Sequence, residues 1–159
     1  MEDNANTYMM YEARDAFTDA VTSMIESVEE YCKSVLEEVD DIDTVRFHRD
    51  YSTLILTAPN HIGKTTTIMR IATSKDLIIY KTFNELDKAK QQFQDSGIPK
   101  NEWPLMAAAT SISGMYGVKF RRIFMDNLHD GELGCIRMSE FFQHGQPVTC
   151  IHIRNTVCY

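Results

Sequence analysis

The segment Ala58-Pro59-Asn60-His61-Ile62-Gly63-Lys64-Thr65-Thr66 sets a glycine, a lysine and two hydroxyls directly behind the apolar run Leu54-Ile55-Leu56-Thr57. Its spacing is A-x-x-x-x-G-K-T, one residue away from the phosphate-cradling pattern G-x-x-x-x-G-K-[ST]. Chemically, Gly63 lets the backbone turn sharply and aim amide N–H groups inward at a phosphate. Lys64 would bring a positive charge to the β- and γ-phosphates, and the Thr65 hydroxyl is a hard oxygen ligand for Mg²⁺. His61 lies inside the loop, where it would touch phosphate or face solvent. The segment Thr66 to Ala72 reads as helical, so an anion would also meet a helix N-terminus.

About sixty residues on, Arg121-Arg122-Ile123-Phe124-Met125-Asp126 is an apolar strand that ends in a carboxylate. With these two segments the sequence resembles the P-loop NTPase superfamily over about residues 45–155. The resemblance implies that Asp126 holds Mg²⁺ beside Thr65, and that the ligand is ATP or GTP with Mg²⁺. Many motors of this superfamily place a Glu directly after that carboxylate, where this chain has Asn127. A neutral amide positions water but cannot take its proton, so Asp130 and Glu132 are candidate substitutes. For a further positive charge the resemblance offers Arg154, just past the last strand, with Arg121, Arg122 and Arg137 as surface alternatives. The candidate catalytic set is thus Lys64, Asp126, Asn127 and Arg154.

The segments Lys81-Thr82-Phe83-Asn84 and Ser113-Gly114-Met115-Tyr116-Gly117-Val118-Lys119-Phe120 are loosely similar to parts of helicase-like and phage large-terminase motor domains. That likeness implies ATP hydrolysis coupled to DNA or RNA handling, in a stand-alone viral motor-like domain that works as an oligomer. Two other classes stay open. A non-hydrolysing P-loop protein would use its N-terminal helix for assembly, and Asn127 favours it. A nucleoside or nucleotide kinase would need an arginine-rich lid, and the only arginine pair is Arg121-Arg122.

The elements that must position these residues follow from periodicity. From Tyr11 to Val39, apolar residues recur at spacings of three and four, including Phe17, Val21, Ile25, Val28, Cys32 and Val35. They define one helical stripe, with most glutamates off it. The preceding ten polar, Met-rich residues read as frayed. Strands are expected over 51–57, 77–80, 121–126 and 148–153, and a small-residue strand within 105–112. Helices are expected over 66–72, over 84–93 with Asn84 as its cap, and over 133–144. Strands alternating with helices predict an α/β fold with a mostly parallel sheet, P-loop topology and helices on both faces. Ligand then binds at the carboxyl ends of the strands, where the loop and Asp126 both fall.

A chain of 159 residues with 43% hydrophobic content can bury a real core. Its net charge of −7 is uneven: residues 1–43 hold 13 acidic and 2 basic residues, and residues 44–159 hold 10 and 14. The expected organisation is therefore an acidic helical arm, 1–43, on a mildly basic P-loop domain, 44–159. The arm's stripe either packs on that body or binds a protein partner or second copy through residues 11–39. Lys75, Lys81, Lys88, Lys90 and Lys100 are the candidate phosphate-backbone patch for nucleic acid. No apolar run reaches the roughly 18 residues of a membrane span, and no secretory signal opens the chain. Cys32, Cys135, Cys150 and Cys158 form no metal-spaced cluster with the histidines. These features predict reduced thiols and a cytoplasmic protein without a membrane partner.

Overall fold

The strand segments are short, β-branched and apolar on both sides, as expected for strands covered on both faces. In the computed structural model, which describes residues 2–39, 41, 43–142 and 148–156 (2–11 as backbone only), they form one sheet. Its strands are β1 (Thr53–Ala58), β2 (Leu77–Tyr80), β3 (Leu105–Ala108), β4 (Arg122–Asp126) and β5 (Thr149–Asn155). All pairings are parallel and the order is β1-β5-β4-β2-β3. The chain is therefore α/β with an all-parallel sheet.

The helices are α1 (Glu2–Glu38), α2 (Thr44–Asp50), α3 (Lys64–Ile71), α4 (Phe83–Asp95) and α5 (Asp130–Gly134). Alternation along the strands divides the core in two. Ile78, Tyr80, Phe124, Ile151 and Ile153 pack with Val21 and Ile25 of α1, Ile68 of α3, and Leu86, Ala89 and Phe93 of α4. Leu77, Ile79, Ile123, Met125 and Cys150 pack on the other face with Ile112, Leu128, Ile136 and Phe141. That second face is covered by α5 and short 3-10 turns over 109–115 and 138–141.

Helix α1 lies on the first face with part of its stripe buried: Val21, Ile25 and Cys32 are buried, whereas Met24, Tyr31 and Leu36 are exposed. Its acids meet basic partners on the body. Asp15 accepts from Arg70 at 2.6 Å, and Glu29 lies 3.6 Å from Arg121. These partners give the uneven charge distribution a local meaning, although exposed pairs of this kind each contribute little.

Several expectations need correction. Helix α1 starts at Glu2, so the polar opening residues continue the helix; once a long helix is nucleated, propagation is cheap. The cap of α4 is Thr82, whose hydroxyl accepts from the Glu85 N–H at 3.2 Å, and Asn84 lies inside the helix. The expected helix over 133–144 is instead α5, over 130–134, and a 3-10 turn over 138–141, with 143–147 outside the described residues. The capping box at His129 and Glu132 starts α5 earlier than the apolar spacing suggests. The small-residue strand ends at Ala108, where the chain turns into 3-10 geometry. The segment after Asp43, for which the sequence suggested no element, is α2, with the Asp43 carboxylate accepting from the Arg46 N–H at 2.8 Å. Cys32, Cys135 and Cys150 are free thiols, and Cys158 lies outside the described residues. No helix among the described residues is long and apolar enough to cross a membrane.

At the amino end of the sheet, the Arg122 guanidinium forks onto Asp76, with Nη2 to Oδ2 at 2.8 Å and Nε to Oδ1 at 3.3 Å. Asp76 also accepts from the Thr73 N–H and hydroxyl, and Arg122 Nη2 also donates to the Ile71 carbonyl at 3.2 Å. Both side chains are almost fully buried. This pair fixes the start of β4 against the start of β2, at the end of the sheet opposite Asp126.

Candidate phosphate and metal site

Register brings the site residues together. Ala58 at the end of β1 is opposite Asn155 of β5, and Asp126 at the end of β4 is opposite Ile153 of β5 and Tyr80 of β2. The loop from Pro59 to Gly63 leaves β1 at this end and turns directly into α3. Gly63 makes the turn with φ of +93°, in the left-handed region, and His61 has φ of +64°. A Cβ at position 63 would stand 3.0 Å from Cγ of Arg14, so α1 lies close against the loop. The Thr18 and Thr67 hydroxyls, 2.8 Å apart, join α1 to α3 just beyond.

Lys64 and Thr65 open α3. Lys64 is buried, and its Nζ donates to the Pro59 carbonyl at 2.6 Å and lies 3.5 Å from that of Ala58. Burial pulls its ammonium below the usual value, and Asp126 opposes that shift. The Thr65 hydroxyl donates to Asp126 Oδ2 at 2.7 Å. Burial pushes the Asp126 carboxyl upward, Thr65 and Lys64 pull it down, and Glu85 adds to the upward push. A desolvated carboxylate touching a hydroxyl fits a hard cation that takes oxygen ligands. Among the described residues no three His, Cys, Asp or Glu side chains gather to hold a metal. Thr65 and Asp126 are the pair that could hold such a cation. Of the remaining loop positions, Asn60 and His61 are exposed, Ile62 is half-buried, and Thr66 on α3 is exposed.

Asn127 follows Asp126 with φ of +52°, a conformation Asn tolerates better than most residues. Its N–H donates to the Ile153 carbonyl, and its side-chain oxygen accepts from the Asn155 N–H at 3.0 Å. Both contacts tie β4 to β5. Arg154 lines a cleft of about 700 Å³ with Thr57, His129 and Asp130, on the far side of Asn127 and Asn155 from Lys64. Glu132 accepts from the His129 N–H at 3.1 Å and lies 3.9 Å from Lys81. His152 beneath this cleft accepts from the Leu128 N–H at 3.1 Å, and burial lowers it to about 4.

A second cavity, of about 300 Å³, is lined by Lys64, Thr65 and Asp126 together with Tyr80, Glu85 and Lys88. Sequence reasoning did not place Tyr80, Glu85 or Arg14 at the site. Glu85 was not singled out, because Asn84 was expected to cap its helix. For Arg14, nothing along the chain tied it to a loop nearly fifty residues away. Of the candidate basic patch, Lys81 faces Glu132, Lys88 lines this cavity and Lys100 sits over the Trp103 ring. No protein-family model, curated protein or solved structure matches this chain.

Proposed function

We propose that the chain binds a nucleoside triphosphate with Mg²⁺ and hydrolyses it, as a P-loop NTPase domain with the N-terminal helix α1 packed beside the loop. The observation that carries the reading is the 2.7 Å hydrogen bond from Thr65 to Asp126, which joins a loop hydroxyl to a strand-end carboxylate across 61 residues. The left-handed Gly63 and the buried Lys64 support it. In this reading the loop amides and the α3 N-terminus hold the β-phosphate. Lys64 moves from the Pro59 carbonyl to the β- and γ-oxygens. Thr65 and Asp126 hold Mg²⁺, which when bound neutralises charge that develops on the transferring phosphoryl group. ATP and GTP are both candidates, because the sequence carries no guanine-specific N-K-x-D motif.

Coupling to DNA or RNA rests on the likeness of residues 81–84 and 113–120 to motor domains, and oligomerisation rests on the exposed part of the α1 stripe. The test is nucleotide binding and turnover at saturating Mg²⁺, for ATP and GTP, with and without single- and double-stranded DNA. Wild type should bind, and Lys64→Ala should bind at least about tenfold more weakly, since a charge-assisted phosphate contact is worth about 1.5–3 kcal/mol. Equal binding by both proteins would sink the reading. Stimulation of turnover by DNA would support the motor branch, and its absence would remove that branch alone.

A further inference from the structure

Hydrolysis requires a group that orients the attacking water, and the candidates suggested by chain position are engaged elsewhere. Asn127 spends its side-chain oxygen on the Asn155 N–H. Glu132 closes the α5 capping box, and Asp130 lines the cleft beyond Asn127. On the Lys64 side, one carboxylate besides Asp126 lines the cavity, and it is Glu85.

Resting on the hydrolase reading above, we propose that Glu85 is the catalytic base, with the Tyr80 hydroxyl donating to the transferred phosphoryl group. Two independent observations lead there. The first is that Glu85 departs from the usual use of its spacing. In a Thr-x-x-Glu capping box the glutamate folds back onto the cap N–H. Here Thr82 makes its half of the box, yet no hydrogen bond reaches the Glu85 carboxylate among the described residues. The carboxylate is left beside the cavity, close enough to Asp126 to disfavour its ionisation.

The second observation is Tyr80. It is 1% exposed, and its hydroxyl has no hydrogen-bond partner. A phenylalanine would fill that place without stranding a polar atom, so an unpartnered buried hydroxyl on a residue that lines the cavity is apt for a ligand acceptor. Tyr80 is the register partner of Asp126 on the neighbouring strand, which places its side chain on the same face of the sheet. Burial, then Asp126, holds the phenol well above its ordinary value, so it stays a donor at neutral pH. Lys88, one turn beyond Glu85 on α4, adds a positive charge at the same wall.

The step follows from these positions. The water oxygen attacks the γ-phosphorus while its proton passes to the Glu85 carboxylate. The bond from the γ-phosphorus to the bridging oxygen breaks, and its electron pair leaves on the β-phosphate, which Lys64 neutralises. Glu85 then returns the proton to solvent, giving nucleoside diphosphate, inorganic phosphate and one proton.

The test compares wild type, Glu85→Gln and Tyr80→Phe by nucleotide affinity and kcat. Glu85 is exposed on a helix surface, so Glu85→Gln keeps the fold. Expected is a kcat lower by roughly 10²–10⁴-fold in Glu85→Gln, with affinity unchanged within about threefold. Tyr80→Phe should lower kcat about 100-fold without weakening binding. Glu85→Gln turning over at the wild-type rate, or losing binding and turnover together, overturns the proposal. So does a wild type that binds nucleotide without turnover. A wild type that binds no nucleotide removes the hydrolase reading itself, and this inference with it.

Discussion

Substituting Arg122 by Met would expose the energetics of the amino end of the sheet without touching the phosphate loop. Met keeps an unbranched apolar stem next to the Phe124 ring, over which the guanidinium now lies at 5.5 Å. What is lost is the two-pronged contact with Asp76 and the bond to the Ile71 carbonyl. Asp76 is fully buried, so its carboxylate would keep only the Thr73 N–H and hydroxyl. Two charge-assisted bonds at about 1.5–3 kcal/mol each set a floor near 3 kcal/mol. Breaking one side of a buried pair typically costs about 3–5 kcal/mol. Against a total stability on the order of 5–15 kcal/mol, that is a large fraction. With a urea slope of about 1–3 kcal/mol/M, the unfolding midpoint should fall by roughly 1–5 M. Urea titration followed by far-UV circular dichroism at pH 7 reads this directly. The second arm is Arg122→Met combined with Asp76→Asn. The amide oxygen still accepts from the Thr73 N–H, and no charge is left buried, so at least half of the loss should return. A single variant losing less than about 1 kcal/mol, or a double variant no more stable than the single, would refute the reasoning.

Two further outcomes can be stated. Gly63→Ala should cost about 1–2 kcal/mol because a Cβ is disfavoured at φ of +93°. Adding Arg14→Ala relieves only the 3.0 Å crowding, so thermal unfolding should show most of the loss retained. Acid should also destabilise the fold. Burial lowers His48 and His152 to about 4, below their unfolded value of about 6.5. Between these values the unfolded chain binds more protons, so stability is full above pH 6.5 and falls toward pH 4. Asp50 and Glu132, both depressed by hydrogen bonds, add in the same sense, whereas the raised Asp126 works against it. Urea midpoints for Asp126→Asn at pH 7 and pH 5 should therefore drop with acid, and a flat or rising profile would contradict the assignment.

The strand, turn and helix around Gly63 and the strand that ends at Asp126 could be read from the sequence because each is a contiguous segment set by near neighbours in the chain. The parallel sheet was legible for the same reason: buried strands such as Leu77–Tyr80 and Arg122–Asp126 are apolar on both faces. Other features depend on elements that meet only in the folded chain. Glu85 looks like an ordinary first-turn residue until α4 is placed beside β2 and β3, and Tyr80 looks like one more core aromatic until its hydroxyl is left without a partner. Arg14 is one of two basic residues in an acidic helix, and its place beside Gly63 follows from how α1 crosses the sheet. The end of the helix expected over 133–144 was misplaced because Leu133, Ile136 and Phe141 do share one face of the core. They reach it from a short helix and a 3-10 turn, which periodicity cannot distinguish from one helix.

The strand order has a consequence for how the chain acquires its structure. β1 stands at the edge of the sheet, and its single strand neighbour is β5, so Thr53 pairs with Cys150 nearly a hundred residues away. Residues 149–155 are thus the wedge that joins β1 to β4. During synthesis the loop after β1 leaves the ribosome long before that wedge exists. Until then Thr65 has no fixed path to Asp126, and α1 and α3 lack Ile151 and Ile153 to pack against. Contacts this distant in sequence close slowly. The loop is therefore made early and set late, and its place beside Asp126 is fixed only as the last strand slides in.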